Sequence, residues 1–586
     1  MTIEDTNNLS EKKMNDNLKP NNETRPPLTN ETNEPPLNQS IDPTETNTQI
    51  SPEIPTSIQD NKTTSVEAIV PARPVSTDGA KKKYQLMPKP KILYDLPEAS
   101  PPILSQYGVA FVVMKDRKNH YGLMVGSKQL NNILRMHATR KEITLKKSDL
   151  NDINQDLTAY AEMSGKIHNV WSRVASVDGG IEIDMADEEN TRIRVADGKV
   201  TIIEDGSETV YYRNPVSQPM VMPANDGDLS SLNKYINLSP SDMVLFTAWL
   251  SYTLAHPKNN SSKYVHLVLQ GDEGTGKSFA CKTIINLLDP SRLGLQPFPS
   301  NAKDLAIAAQ HAHVLCYDNL RGFKHQMADI LCMASTGGTI SNRALYTDAD
   351  QHLYNLHAPL VLNGIHSFIN QSDLAQRCLS VRTLAMPESQ RKSEAQMMKE
   401  LETDLPVILK GLLDLVAGVL QELPNAEVTH PERMYDFVRW LAAMEKVRKI
   451  PAGIYQGAYS DVLHEAQLDS LMENLLSSMI IEFTGTQKKI IQTGQWSGTP
   501  AQLMSELNDL SPYRSVRSEE WPQNAIALSK RLNALKASLR TQNISVELTR
   551  GKQRTITIRL LSYTIPKKEK VITPPKEKTT DTEEDF

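Results

Sequence analysis

Cysteine is scarce in this chain. Only Cys281, Cys316, Cys332 and Cys378 occur among 586 residues, and no two form a CxxC pair. That spacing excludes a zinc ribbon or a disulfide framework and fits reduced thiols in a core. No apolar run approaches the roughly 18 residues a membrane span needs. The first residues, MTIEDTNNLSEKKMNDN, hold no apolar signal-peptide stretch. A large charge excess is also missing: 64 Lys and Arg against 70 Asp and Glu leave −6, so any affinity for a polyanion has to be local. The expectation is a cytoplasmic protein without a membrane partner.

What is present is zoned along the chain. Residues 1–95, mostly Asn, Thr, Pro, Glu and Lys, cannot bury enough apolar surface to offset their ordering entropy and read as disordered. Residues 96–222 read as a small α+β domain. YGVAFVVM is a strand, SKQLNNILRMHA and KSDLNDINQDLTAYAEMSG are helices, and GIEIDMADEENTRIRVADGKVTIIEDG gives short alternating strands. Asp184 and Asp187 read there as acidic turn residues of a hairpin rather than as metal ligands of a primase or nuclease. Residues 223–262 form a helical linker, with Ser239 as cap, Pro240 in the first turn and Asp242 at its third position. Strands and helices alternate over 263–386. Residues 387–472 are helical, with apolar residues at 408, 409, 412, 413, 416, 419, 420 and 423 marking one face. A mixed segment, 473–564, precedes a polar tail, 565–586.

The chemistry concentrates in YVHLVLQGDEGTGKSFACKTIINLL. An apolar strand runs into Gly271, Asp272, Glu273, Gly274, Thr275, Gly276, Lys277 and Ser278, the pattern GxxxxGKS, and a helix follows. Glycines let consecutive N–H groups close around phosphate oxygens. Lys277 adds a point charge, and the Ser278 hydroxyl can ligate magnesium. The helix start turns its positive end to the same phosphates. Farther on, HVLCYDNL places Asp318 at a strand end, where it can hold magnesium through water. APLVLNGI ends in Asn363, and DLAQRCLSVRT offers Arg377. The cofactors expected are ATP and Mg2+.

The succession GDEGTGKS, VLCYDN, LVLNG, DLAQR resembles the AAA+ ATPases. More narrowly, it is similar to the superfamily 3 and poxvirus-type primase-helicase ATPases of phages and integrated mobile elements. The resemblance implies an α/β P-loop AAA+ core over 263–386 with a helical lid. It also implies a homo-oligomeric ring, hexameric in this family, and ATP-driven translocation on DNA or its unwinding. Asn363 would then be the strand-end sensor that polarises the attacking water. Arg377 would be a finger reaching a neighbouring subunit's nucleotide. The hairpin GGTISNRALYTDADQHLY would face DNA, with Arg343, its one cation, turned to phosphate, to a neighbouring subunit, or to solvent. His313, His325, His352, His357 and His366 crowd this region at spacings that fit no metal site.

One position departs from the ATPase pattern: Asn319 follows Asp318 where a glutamate base is usual. Asparagine can orient water but cannot accept its proton, and a positioned base is worth about 10²–10⁴ in rate. Glu273, inside the loop, could supply the carboxylate instead. A rival reading is therefore an ATP-gated DNA-binding scaffold or loader with little hydrolysis. At the C-terminus, two helices and two strands around RGKQ outline a winged helix. Lys530, Arg531, Lys536, Arg540, Arg550 and Lys552 fall in a segment whose one acid is Glu547, a footprint of phosphate-backbone binding. DNA is the expected partner. Trp521 and Pro522 read as a staple at the start of the second helix.

Overall fold

The computed structural model describes residues 99–116, 119–259, 261–343, 351–365, 368–369, 371–385, 391–510, 521–549 and 554–562, all within one unit spanning 85–586. The first elements are β1 (Ile103–Ser105), β2 (Ala110–Asp116), β3 (Asn119–Met124), α1 (Lys128–Arg140) and α2 (Lys147–Ser164). Next come β4 (Ile167–His168), β5 (Val170–Trp171), β6 (Val174–Val177), β7 (Gly180–Asp184), β8 (Arg192–Ala196), β9 (Lys199–Ile203) and β10 (Val210–Tyr212). They make two sheets, one ordered β4-β1-β2-β3-β10-β5 and one ordered β6-β7-β8-β9. Leu130 and Leu134 of α1, with Leu150, Ile153 and Leu157 of α2, cover Val112, Met114 and Leu123 of the first sheet.

The central layer begins with α3 (Pro240–Ala255), β11 (His266–Gln270), α4 (Lys277–Leu288), β12 (Gln296–Pro297) and α5 (Ala302–His311). It continues through β13 (Leu315–Leu320), α6 (His325–Thr336), β14 (Gly338–Arg343), β15 (Gln351–Leu356), β16 (Leu360–Gly364), α7 (Ser372–Ala375) and β17 (Cys378–Arg382). Five strands pair in parallel in the order β12-β13-β16-β11-β17. Every residue of β11 and β16 is buried, as expected of parallel strands covered on both faces. Ser239 caps α3 as the sequence suggests, its Oγ accepting from Asp242 N at 3.1 Å. Residues Leu245 to Ala255 of that helix are all buried, so beyond its first turn it is a central post with no solvent face.

The helical segment is α8 (Glu394–Glu422), α9 (Tyr435–Arg448) and α10 (Ile454–Glu473). Its apolar face, Ile408, Leu409, Leu412, Leu413, Val416 and Val419, is buried as the periodicity requires. The C-terminal part contains α11 (Leu475–Thr486), α12 (Lys488–Thr493), β18 (Gln495–Gly498), α13 (Pro500–Leu510), α14 (Ala525–Thr541), β19 (Ile544–Thr549) and β20 (Thr555–Leu560). Here a third strand, β18, joins the expected pair in the order β18-β20-β19. Four residues with one apolar side chain, QWSG, show no readable period.

Residue 222 marks no break in packing. Val174, Ile181, Ile183, Ile193 and Val195 of the four-stranded sheet share one apolar cluster with α3, α4, α8 and α9, and β8 and β9 lie against α8. Asp184, expected in a turn, instead closes β7 opposite Arg192 and is buried. Burial pushes its carboxyl up, but Arg192 and Arg213 outweigh this and hold it down to about 2. Asp187 does sit in the turn, accepting from Thr191 N at 2.8 Å. A second buried pair, Arg173 Nε to Asp289 Oδ1 at 2.9 Å, ties the β5–β6 junction to the C-terminal end of α4.

Four histidines cluster at or near the N-terminal edge of the parallel sheet. His313 Nε2 donates to Thr253 O at 2.9 Å, and His266 Nε2 to Leu331 O at 2.9 Å. His266 Nδ1 also accepts from Leu360 N at 3.3 Å, which fixes that ring as neutral. His256 Nδ1 donates to Tyr252 O at 2.6 Å, while His357 packs on Tyr264 with ring centroids 4.8 Å apart. Burial holds all four well below the ordinary 6.5, at about 4. These rings are structural. His325 meets Gln371 at the surface, His352 lies on β15 opposite Asn342, and His366 lies outside the described residues. Among the described residues, no group of three or more His, Cys, Asp or Glu could hold a metal.

Candidate nucleotide site

β11 delivers the chain to its loop at the C-terminal edge of the sheet. Gly271, Gly274 and Gly276 all have positive φ, at 147°, 77° and 87°, values that L side chains rarely adopt. A Cβ on Gly271 would also stand 2.2 Å from Thr383 Oγ1. That threonine, just past β17, braces the loop: its hydroxyl lies 2.7 Å from Thr275 Oγ1 and donates to Gln270 O at 3.0 Å. Lys277 opens α4 and folds back, its Nζ donating to Gly271 O at 2.8 Å and Asp272 O at 2.7 Å. Burial lowers its pKa, against the raising influence of Asp272, Asp318 and Glu273. The ammonium is thus held over the loop, where a polyphosphate would lie.

Three expected residues meet in one chain of hydrogen bonds. Ser278 Oγ donates to Asp318 Oδ2 at 2.9 Å, and Asn363 Nδ2 donates to Asp318 Oδ1 at 2.6 Å. Asn319 N donates to the same Oδ1 at 2.8 Å. The register of β13 on β16 shifts between Tyr317 and Leu320, a bulge with Asn319 at φ 59°. Bulges re-aim side chains next to sites, and asparagine is among the few residues that tolerate this φ. Asn363 is 1% exposed, and its Oδ1 is buried without a partner among the described residues. A hydroxyl and a carboxylate side by side at a helix N-terminus are hard oxygen donors that suit Mg2+ with water between. Three positive-φ glycines and a helix start suit the phosphates of ATP. The residues present therefore fit both groups.

Glu273 and Arg377 stand apart from this line of hydrogen bonds. Glu273 is exposed and, among the described residues, makes no hydrogen bond or ion pair that would aim it at a γ-phosphate. Arg377 is not presented outward. It is 9% exposed, and its Nη1 donates to Asp373 O at 2.8 Å and Asp373 Oδ2 at 2.6 Å. The i,i+4 spacing across α7 captures the guanidinium, and the exposed Arg433 shares the same carboxylate. As placed, Arg377 lies at the sheet edge opposite this chain's own loop, held by Asp373.

Sequence reading missed Thr383 and Arg391. A Cβ on Gly274 would lie 3.7 Å from Arg391 Nη2, so this guanidinium stands beside the loop. It comes from the residues leading into α8, and Lys282 of α4 pairs with Glu394 at the start of that helix. Neither position carries a spacing that sequence could connect to GxxxxGKS.

In the C-terminal part, Lys530, Arg531 and Arg540 are exposed on α14, Lys536 is half-buried, and none of them has an ion pair among the described residues. A groove of about 340 Å³ separates α14 from β19 and β20, lined by Lys530, Asn533 and Arg554 with the exposed Ile526. Arg550 and Lys552 lie outside the described residues, and Arg343 lies on β14 opposite Gln351. Trp521 is buried and donates from Nε1 to Asn508 Oδ1 at 3.0 Å, a structural role.

Residues 230–466 match the family described as the actinomycete integrative conjugative element replication protein, and residues 476–576 match the C-terminal domain of that replication protein. No curated protein matches the chain. Among solved structures, one apo form of the NrS-1 C-terminal region is 10% identical, at a TM-score of 0.37, over 80% of this chain and 98% of that one. Another, of its residues 305–718, is 11% identical at a TM-score of 0.35 over the same shares. Among the described residues, no helix is long and apolar enough to cross a membrane.

Proposed function

We propose that this chain, similar in two regions to replication proteins of integrative conjugative elements, is an ATP-driven DNA translocase or helicase of the AAA+ type. The observation carrying this reading is the line from Ser278 through Asp318 to Asn363, set beside the glycine loop and Lys277. Lys277 and the loop N–H groups bind and orient the β- and γ-phosphates. Ser278 and Asp318 hold Mg2+, which when bound neutralises charge developing on the transferred phosphoryl group. The buried Asn363 orients water. The C-terminal α13, α14 and β18–β20 act as a winged helix on DNA, with the α14 cations on the phosphate backbone. Assembly into a ring, hexameric in the AAA+ group it resembles, is part of the proposal.

One observation favours the second reading, an ATP-gated scaffold or loader. No carboxylate occupies the position after Asp318, and Glu273 is not aimed to replace it. Steady-state ATP hydrolysis with and without single-stranded DNA, run beside Lys277→Ala, separates the two. DNA-stimulated turnover that disappears in the variant is the expected result; tight ATP binding without turnover would establish the scaffold. Reversing the charges of Lys530, Arg531 and Arg540 is expected to flatten the salt dependence of duplex binding by roughly three phosphate contacts. An unaltered slope would remove α14 from the DNA interface.

A further inference from the structure

The helix and the strand that bring Ser278 and Asp318 together meet a second time, far from the loop. Asp289 caps the C-terminal end of α4 and is 7% exposed. Its Oδ2 accepts from His313 N at 2.6 Å and from Val314 N at 3.4 Å, at the entry to β13. Its Oδ1 accepts from Arg173 Nε at 2.9 Å. From Ser278 to Asp289 the helix rises about 17 Å, and from His313 to Asp318 the strand rises about as much. The two elements are therefore of matched length and joined at both ends, Ser278 to Asp318 beside the loop and Asp289 to His313 behind it.

The rear join is unusual in two ways. A carboxylate at a helix C-terminus faces the negative end of the dipole, and burying it is costly unless it is paired. Arg173, 5% exposed, holds φ at 65°, a left-handed setting that a non-glycine residue keeps only where its surroundings impose it. All three of its guanidinium nitrogens are engaged. Besides the bond to Asp289, Nη1 donates to Asp184 O at 3.0 Å, and Nη2 donates to Gln218 O at 3.1 Å and Pro290 O at 3.4 Å. Between the joins, Cys281 and Ile284 of α4 share one apolar cluster with Val314 and Cys316. Apolar contact is non-directional, so it resists separation better than sliding. Directed hydrogen bonds are what set the register.

We infer that Arg173 and Asp289 are positioning residues of the nucleotide site: they fix α4 along β13, and through these two elements the spacing of Ser278 and Asp318. The inference rests on the reading above that this pair holds Mg2+. Magnesium demands near-ideal octahedral geometry. A slide of about 1 Å at the rear, carried along a stiff helix, misplaces an oxygen at the front by a distance that matters. Because Arg173 lies at the β5–β6 junction, the sheets ahead of the loop become part of the support of the site.

The test measures binding of a fluorescent ATP analogue to the full chain, in EDTA and in Mg2+, beside urea midpoints. The variants are Arg173→Lys, Asp289→Asn and, as a destabilised control, Leu134→Ala, a buried residue of α1 in a separate apolar cluster. In Arg173→Lys and Asp289→Asn the tightening that Mg2+ brings is expected to fall roughly tenfold, with affinity in EDTA unchanged. Leu134→Ala is expected to lose stability and keep the whole magnesium effect. Two variants on different elements keep a folding defect in one from deciding the outcome. If both retain the parent's magnesium effect at a lowered midpoint, or if Leu134→Ala loses it equally, the pair is structural only and the inference is overturned. If the parent binds the analogue with no magnesium effect, the metal reading of Ser278 and Asp318 falls and takes the inference with it.

Discussion

Replacing Asp318 with asparagine is expected to reduce ATP turnover about 10³-fold, the scale set by a lost metal-ion contribution of several kcal/mol. The fold should survive. An amide at this position still accepts from Asn363 Nδ2 and from Asn319 N, and its own NH₂ can donate to Ser278 Oγ by rotation of that hydroxyl. What disappears is the negative charge beside Ser278. Magnesium-free nucleotide binding, carried by Lys277 and the loop, should stay within a few-fold of the parent. Turnover within tenfold of the parent would show that Asp318 holds no metal and would move the chemistry elsewhere.

Acid should unfold this protein well before its carboxylates titrate. His256, His266, His313 and His357 are held neutral at about 4 in the fold, against an ordinary 6.5. Above pH 6.5 neither state carries their protons, and stability is unaffected. Below it the unfolded chain binds protons that the fold refuses, so stability is lost as pH falls from 6.5 toward 4. At one pH unit below 6.5 each ring costs about 1.4 kcal/mol and the four together about 6 kcal/mol, comparable to the whole stability of many domains. Asp184, held at about 2, is still ionised throughout that interval and does not contribute. Lys258, lowered to about 7 by burial, is already protonated in both states at the acid end. Urea midpoints at pH 7.5 and 5.5 test this; equal midpoints would mean that the four rings are open to water.

The glycine torsions of the loop and the place of Lys277 were legible because they are contiguous: eight adjacent residues fix both. Asp318 and Asn363 were legible because parallel strands in a βαβ succession all deliver their ends to the same edge. The setting of Arg377 was not legible, for the converse reason. Its fate depends on Asp373 four residues earlier and on Arg433 far along the chain, and only the fold shows that both claim the same contact. Thr383 and Arg391 reach the loop across strand and helix junctions whose geometry leaves no periodic trace. Asp184 looked like a turn residue because Asp and Glu cluster around it, yet the two arginines that bury it lie on β8 and just past β10.

The β6–β9 sheet cannot be traded as a cassette. Its inner side chains and those of α8 are halves of one oil-filled joint. A chain that took α3, α4 and α8 from one parent and the preceding sheet from another would join two surfaces that had never been fitted. An exchange point between β9 and α8 is therefore expected to cost packing that one ahead of β1 would spare.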